Sequence, residues 1–109
     1  MASPNVMELS ADNFAATVAS GTLVVADFWA PWCGPCRQLS PVIDRIADQF
    51  AGKVKVGKVN VDENNELAAK YDVATIPRVM MFKGSDTPIF VHVGTISDAE
   101  LAKVINANV

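Results

Sequence analysis

Two cysteines that are separated by two residues, Cys33 and Cys36, are the residues of this sequence best suited to chemistry. A disulfide between them would close almost no loop, so it would add little stability by restricting the unfolded chain. A structural zinc ion takes four ligands, and the sequence offers no second CxxC motif and a single histidine, His92. The pair therefore predicts thiol–disulfide chemistry without a metal.

The hydrophobic pattern places this pair between a buried strand and a long helix. The apolar run Leu23–Trp29 is interrupted only by Asp27, which is typical of a strand buried on both faces of a sheet. From residue 36 to residue 50 apolar residues recur at spacings of three and four, which predicts an amphipathic helix. Cys33 should then lie at the helix N-terminus with Cys36 one turn inside, and residues at this spacing share a face.

The remaining segments predict an alternation of strands and helices. Strands are expected at 6–9, 54–61, 78–83 and 89–93, and helices at 11–19 with Ser10 as N-cap, at 63–71, and after the capping box Ser97–Glu100. Residues 84–88 predict a hairpin turn. This order indicates an α/β fold with a mostly parallel sheet and an antiparallel edge. The length of 109 residues predicts a single domain, 1–109.

Charge and hydropathy exclude several classes of partner. Nine basic and twelve acidic residues give a net charge of −3, which argues against nucleic acid or an anionic membrane as the main partner. No apolar run is long enough to span a bilayer. The N-terminus has no basic and apolar stretch typical of a secretory or transit signal, so a cytoplasmic location is expected.

Motifs spread over nearly the whole chain carry a resemblance to a known family. They are Asp27-Phe28-Trp29, Trp32-Cys33-Gly34-Pro35-Cys36, Pro41, Lys58, Asp62, Ile76-Pro77 and Gly94. In this order and at about this spacing they resemble the thioredoxin family. The resemblance implies the thioredoxin fold, a mixed five-stranded sheet flanked by four helices. It also implies a monomeric protein-disulfide reductase with no cofactor beyond its own redox-active disulfide, acting on client proteins and re-reduced by a thioredoxin reductase.

The predicted helix start explains how the two thiols would divide the work. Free backbone N–H groups and the helix dipole favour a thiolate at Cys33. Thiols at such places have pKa values of about 3.5 to 7.5 instead of about 8.5, a generalisation for which thioredoxin is itself an example. Cys33 is expected to attack the client disulfide, and Cys36 is expected to resolve the mixed disulfide.

Asp27 and Lys58 are the candidate proton-transfer residues. A carboxyl group within an apolar strand should have a raised pKa unless it is paired. The resemblance implies that Asp27 accepts the proton of Cys36, and the alternative is a satisfied buried polar group. Lys58 interrupts an apolar pattern on a neighbouring strand and is the candidate partner of Asp27, whereas a solvated strand lysine is about as common.

The resemblance also implies a flat apolar docking surface around the cysteines, with a cis peptide bond at Pro77. Its predicted residues are Trp32, Gly34, Pro35, Ile76, Pro77, Val93 and Gly94. Trp32 and Ile76 could instead be ordinary core residues. Arg78 departs from the family pattern, which usually has a small residue there. A guanidinium at this place would attract acidic groups near a client disulfide, and the alternative is a solvated arginine that points away.

Three functions are compatible with these sequence features. The first is a general protein-disulfide reductase that does not itself bind NADPH, because no GxGxxG motif is present. The second is a binding module in which the thiols are incidental, and the intact pair together with Asp27 argues against it. The third is an oxidase or isomerase, which the Gly-Pro pair between the cysteines and the lack of a signal sequence disfavour.

Overall fold

The computed structural model describes residues 3–109, so residues 1 and 2 of the predicted domain lie outside the described residues. Five strands and four helices alternate along this part of the chain. In order, they are β1 Val6–Leu9, α1 Phe14–Val18, β2 Leu23–Trp29, α2 Gly34–Gln49, β3 Lys55–Asn60, α3 Asn65–Lys70, β4 Arg78–Lys83, β5 Phe90–Val93 and α4 Asp98–Asn106.

The strands form one mixed sheet in the order β1-β3-β2-β4-β5. β1, β3 and β2 pair in parallel, and β4 and β5 continue the sheet in antiparallel pairing. β2 is the central strand, as its nearly continuous apolar sequence predicts, because a central strand in a sheet covered on both faces meets no solvent. The predicted fold class is confirmed.

Successive side chains of β2 point to opposite faces of the sheet, so the hydrophobic core has two layers. Leu23 and Val25 face a layer built with α2 and α4. Val24 and Phe28 face the opposite layer, which is built with α1 and α3. Asp27 follows Val25 by two residues, so its side chain points toward α2, the helix that carries the cysteines.

Two helix starts differ from their predictions. α1 begins at Phe14 with Asn13 as N-cap, because the Asn13 side chain accepts the Ser10 N–H at 2.8 Å and donates to the Glu8 carbonyl at 2.9 Å, which holds residues 10–13 in a turn. α3 begins at Asn65, two residues after its predicted start. α2 begins at Gly34 with Cys33 as its N-cap, as predicted. The predicted capping box of α4 is confirmed, since the Ser97 hydroxyl accepts the Glu100 N–H at 3.2 Å.

Gly57 in β3 marks a close approach between neighbouring strands. A Cβ atom at this position would lie 2.6 Å from Cδ1 and Cγ of Leu9 and 3.0 Å from Cγ of Met7. Leu9 is fully buried, so it has little room to move aside. The Gly57→Ala variant is therefore expected to lose about 1–3 kcal/mol of unfolding free energy through overpacking.

Urea unfolding measures this loss. The double variant Leu9→Ala/Gly57→Ala should be less destabilised than the sum of its single variants, because alanine at position 9 lacks both clashing atoms, Cγ and Cδ1. Additive losses would contradict the close approach.

Within residues 3–109, no helix is both long enough and apolar enough to cross a membrane.

Candidate active site

The two cysteines lie where the chain passes from β2 into α2. Cys33 is the N-cap residue of α2, with extended backbone angles of φ −88° and ψ 112°. Cys36 follows one turn inside the helix, and the two Cα atoms are 5.3 Å apart. The residues are joined as a disulfide, and the backbone N–H of Cys36 donates to Sγ of Cys33 at 3.2 Å. The Cys33 sulfur therefore occupies the acceptor position at a helix N-terminus, where negative charge is stabilised.

A second segment, distant in sequence, lies against the cysteines. Ile76 packs against the cluster of Ala30, Cys33 and Cys36, and its carbonyl oxygen is 3.9 Å from Sγ of Cys33. The Ile76–Pro77 peptide bond is cis, as the resemblance implies. The sheet therefore places the residue before a cis proline next to the N-terminal sulfur.

Gly94, which directly follows β5, lies beside Pro77. Its N–H donates to the carbonyl oxygen of Pro77 at 2.8 Å, and it has a positive φ of 95°, which favours glycine. Val93, directly before it, exposes 56% of its surface. Pro77 itself is buried. The apolar surface beside it is therefore formed by Val93 and Gly94.

Trp32 is the most exposed large apolar residue near the disulfide. It is 68% exposed, which excludes the alternative that it is a core residue. Its indole Nε1 donates to the Asp62 carboxylate, at 3.0 and 3.3 Å from the two oxygens. Gly34 is half-buried and Pro35 is exposed at the start of α2, so both border the disulfide on this side.

Asp27 is fully buried, on the face of β2 that α2 covers. Neither of its carboxylate oxygens has a hydrogen-bond partner among residues 3–109. Burial raises its pKa from 3.8 to about 7, and the charge of Lys58 partly opposes this rise. The structure therefore gives the Asp27 carboxylate no protein hydrogen bond within residues 3–109, and its raised pKa lies near neutral pH.

Lys58 is the register neighbour of Asp27 on β3 and is half-buried. Its Nζ donates to the Ser40 hydroxyl at 2.6 Å and lies 5.1 Å from the centre of the Trp29 ring. The lysine is therefore held on the α2 side of the sheet rather than extended into solvent. Because Ser40 follows Cys36 by one helical turn, the same face of α2 carries the resolving-cysteine candidate and the hydroxyl that binds Lys58.

The contacts of Arg78 differ from both predicted alternatives, a guanidinium directed toward a client and a solvated arginine that points away. Arg78 is half-buried, and its guanidinium donates to the Asp72 carbonyl at 2.8 Å and to the Thr75 hydroxyl at 3.1 Å. It is therefore bound to the loop before Ile76 instead of being directed freely toward a client or into solvent.

The fold thus brings together the predicted site residues from four separate stretches of sequence. Cys33, Cys36 and Ile76 are in direct contact, Trp32 and Val93 flank them, and Asp27 and Lys58 lie beneath α2. Ser40 was not among the predicted site residues, and its only signal is its spacing of four residues from Cys36. Asp62 belongs to the motifs of the resemblance, but its bond to Trp32 was not predicted. Among residues 3–109, no group of three or more histidine, cysteine, aspartate or glutamate side chains is arranged to hold a metal ion.

Comparison with known proteins agrees with this geometry. The thioredoxin family model matches residues 5–107. Thioredoxin 1 of Nostoc sp. is 49% identical over 82 residues, which cover 75% of this chain and 76% of that protein. Thioredoxin of Haemophilus influenzae is 37% identical over 105 residues, 95% of this chain and 97% of that protein.

A third relative is named a chloroplastic thioredoxin M-type, from Pisum sativum. It is 43% identical over 88 residues, which cover 81% of this chain and 51% of that protein. The family match over most of the chain and the Cys33–Cys36 pair at bonding distance lead to one conclusion. The chain belongs to the thioredoxin family and is a thiol–disulfide oxidoreductase.

Proposed function

We propose that this protein is a reductase of client-protein disulfides. The reducing direction rests on the Gly34-Pro35 pair between the cysteines, which the family resemblance ties to reducing members. The attacking role rests on the position of the Cys33 sulfur at the N-cap of α2, where it accepts the Cys36 N–H. The same interactions would stabilise a thiolate at Cys33 once the disulfide is reduced. The thiolate is the attacking species in thiol–disulfide exchange, so Cys33 is the attacking residue.

The reaction has two exchange steps. The Cys33 thiolate attacks one sulfur of a client disulfide, which forms a Cys33–client disulfide and releases the other client sulfur as a thiolate. Cys36 then loses its proton and attacks Sγ of Cys33, which closes the Cys33–Cys36 disulfide and releases the second client sulfur. Two electrons have passed from the protein to the client. Because both sulfurs lie on one helix turn, the second step is intramolecular and fast.

Asp27 is the proposed acceptor of the Cys36 proton. Its side chain points toward the helix that carries Cys36, its oxygens have no partner among residues 3–109, and its pKa is about 7. A base with a pKa near the working pH is the most effective proton acceptor. Lys58 lowers the Asp27 pKa through its charge, and Ser40 holds the lysine in place.

The proposed docking surface consists of residues around the disulfide that are apolar or expose backbone: Trp32, Gly34, Pro35, Ile76, Pro77, Val93 and Gly94. The Ile76 carbonyl lies beside Cys33, so an extended client segment could pair with this backbone while its disulfide meets the sulfur. The proposed partners are client proteins that carry disulfides, and the proposed electron donor is a thioredoxin reductase. We further propose that the protein is a monomer with a single domain over 1–109 and that it is cytoplasmic.

A redox titration of the Cys33–Cys36 pair against dithiothreitol and glutathione buffers tests the proposed direction of electron flow. A reductase should equilibrate near about −270 mV, the reference value for thioredoxins, whereas disulfide isomerases lie near about −180 mV. Tryptophan fluorescence can report the equilibrium, because Trp32 lies beside the disulfide. A midpoint less negative than about −200 mV would overturn the assignment as a reductase in favour of an oxidase or isomerase.

A further inference from the structure

Arg78 lies directly after the Ile76–Pro77 pair, and its side chain turns back over the preceding loop. Nη1 donates to the carbonyl oxygen of Asp72 at 2.8 Å, and Nη2 donates to the hydroxyl of Thr75 at 3.1 Å. One guanidinium therefore binds the beginning and the end of the 72–75 segment at the same time.

This segment is otherwise an irregular connection between α3 and β4. Asp72 has a φ of 53°, in the left-handed region that few residues other than glycine adopt. The N–H of Val73 donates to the Ala68 carbonyl at 2.9 Å, which joins the start of the segment to α3. Ala74 and Thr75 are exposed, so they gain little support from core packing. Besides a bond from the Ala74 N–H to the Asp72 carbonyl at 3.1 Å, the Arg78 contacts hold the second half of the segment.

The end of the segment is the part that meets the active site. Ile76 contacts the cysteine cluster, and its carbonyl oxygen is 3.9 Å from Sγ of Cys33. A shift of the segment would move this carbonyl, which a docked client needs at a fixed place. Geometry that is off by about 1 Å can slow an enzymatic step considerably.

We propose that Arg78 is a positioning residue whose guanidinium fixes the 72–75 segment and thereby holds the Ile76 backbone beside Cys33 for client docking. The inference rests on the proposed function, in which an extended client segment pairs with Ile76. An arginine suits this role because its planar guanidinium presents several N–H donors in fixed directions. A lysine keeps the charge but replaces the fork with a single ammonium group.

The experiment compares the parent protein with the variants Arg78→Lys and Arg78→Met on two substrates, with dithiothreitol as the electron source. One substrate is a peptide with its disulfide in an extended segment, and the other is a small aromatic disulfide without a peptide backbone. In both variants KM for the peptide should rise about fivefold with kcat within about twofold, which is the scale of one or two lost hydrogen bonds. The rate with the small disulfide should change by less than about twofold, because this substrate has no backbone to pair.

Two further variants separate positioning from general damage. Thr75→Val removes one acceptor of the guanidinium at an exposed position, and it should raise the peptide KM by about twofold. Arg45→Lys disturbs an arginine that instead pairs with Asp98 between α2 and α4, and it should leave the peptide KM unchanged. Hydrogen exchange of the 73–76 amides should be faster in Arg78→Lys than in the parent.

Each other outcome has a distinct meaning. If Arg78→Lys retains the parent KM, the charge alone matters and the positioning role is wrong. If the rates with both substrates fall together, Arg78 acts on the fold as a whole and the inference is again wrong. If the parent itself does not reduce the peptide disulfide, the proposed function is wrong, and the inference that rests on it is wrong as well.

Discussion

Replacement of Cys36 by serine is expected to convert the protein into a trap for its clients. Cys33 would still attack a client disulfide, but the mixed disulfide would then wait for an external thiol. Intramolecular reactions with good alignment have effective molarities of about 10⁵ M or more, so resolution should slow by at least about a thousandfold at millimolar thiol. Covalent adducts that dithiothreitol releases should therefore appear on a non-reducing gel after exposure to client proteins.

The variant Cys33→Ser is the matched control for this experiment. It keeps the other thiol one turn inside the helix, where only 2% of the Cys36 surface is exposed. It should form no adducts and should lose turnover to the background rate, because the attacking sulfur is gone. Adducts in Cys33→Ser and none in Cys36→Ser would reverse the two assigned roles.

The variant Asp27→Asn is expected to slow turnover in a pH-dependent way. Asparagine has nearly the same size but accepts no proton, so Cys36 would have to ionise without a neighbouring base. General bases contribute about 10²-fold or more, and we expect a loss of at least about tenfold near pH 7 to 8 that fades above pH 9. Turnover that matches the parent from pH 6 to 9 would exclude the proposed role.

Two controls accompany this measurement. Asp12→Asn removes an exposed carboxylate in the turn that precedes α1, and it should leave the dependence of turnover on pH unchanged. Lys58→Met keeps the acceptor but removes the charge that lowers the Asp27 pKa, so this pKa should rise further. The acid limb of the turnover profile should therefore move to higher pH, and an unmoved limb would contradict the coupling of the two residues.

The Asp27→Asn substitution should also change how the free energy of unfolding depends on pH. Because burial raises the Asp27 pKa to about 7, the folded protein binds this proton more tightly than the unfolded chain, in which the pKa is about 3.9. This contribution is fully present below about pH 4 and is lost as the pH rises to 7. The unfolding free energy of Asp27→Asn relative to the parent should therefore rise by a few kcal/mol between pH 4 and 7.

Urea unfolding at unit intervals from pH 4 to pH 8 measures this difference. It should level off above pH 7, where Asp27 is ionised in both the folded and the unfolded parent. A difference that is constant over the whole range would mean that Asp27 does not titrate with a raised pKa.

Much of the fold could be predicted because its signals are local. The apolar run of β2 and the helical spacing after Cys36 depend on residues within one element, and both elements are found where they were expected. The boundaries were less accurate, since local side-chain bonds decide them. At α1 the Asn13 side chain holds residues 10–13 in a turn, a contact that hydrophobic spacing does not reveal.

The chemistry could be predicted from local spacing alone, because two cysteines at this spacing at the start of an amphipathic helix share a face. How the rest of the chain meets them depends on long-range packing. Ile76 is 43 residues from Cys33, and the sheet order brings its carbonyl to the sulfur. Burial leaves Asp27 without a partner among residues 3–109, and the packing of α2 on β3 gives Lys58 its bond to Ser40. These contacts depend on which strands become neighbours, which no local pattern specifies.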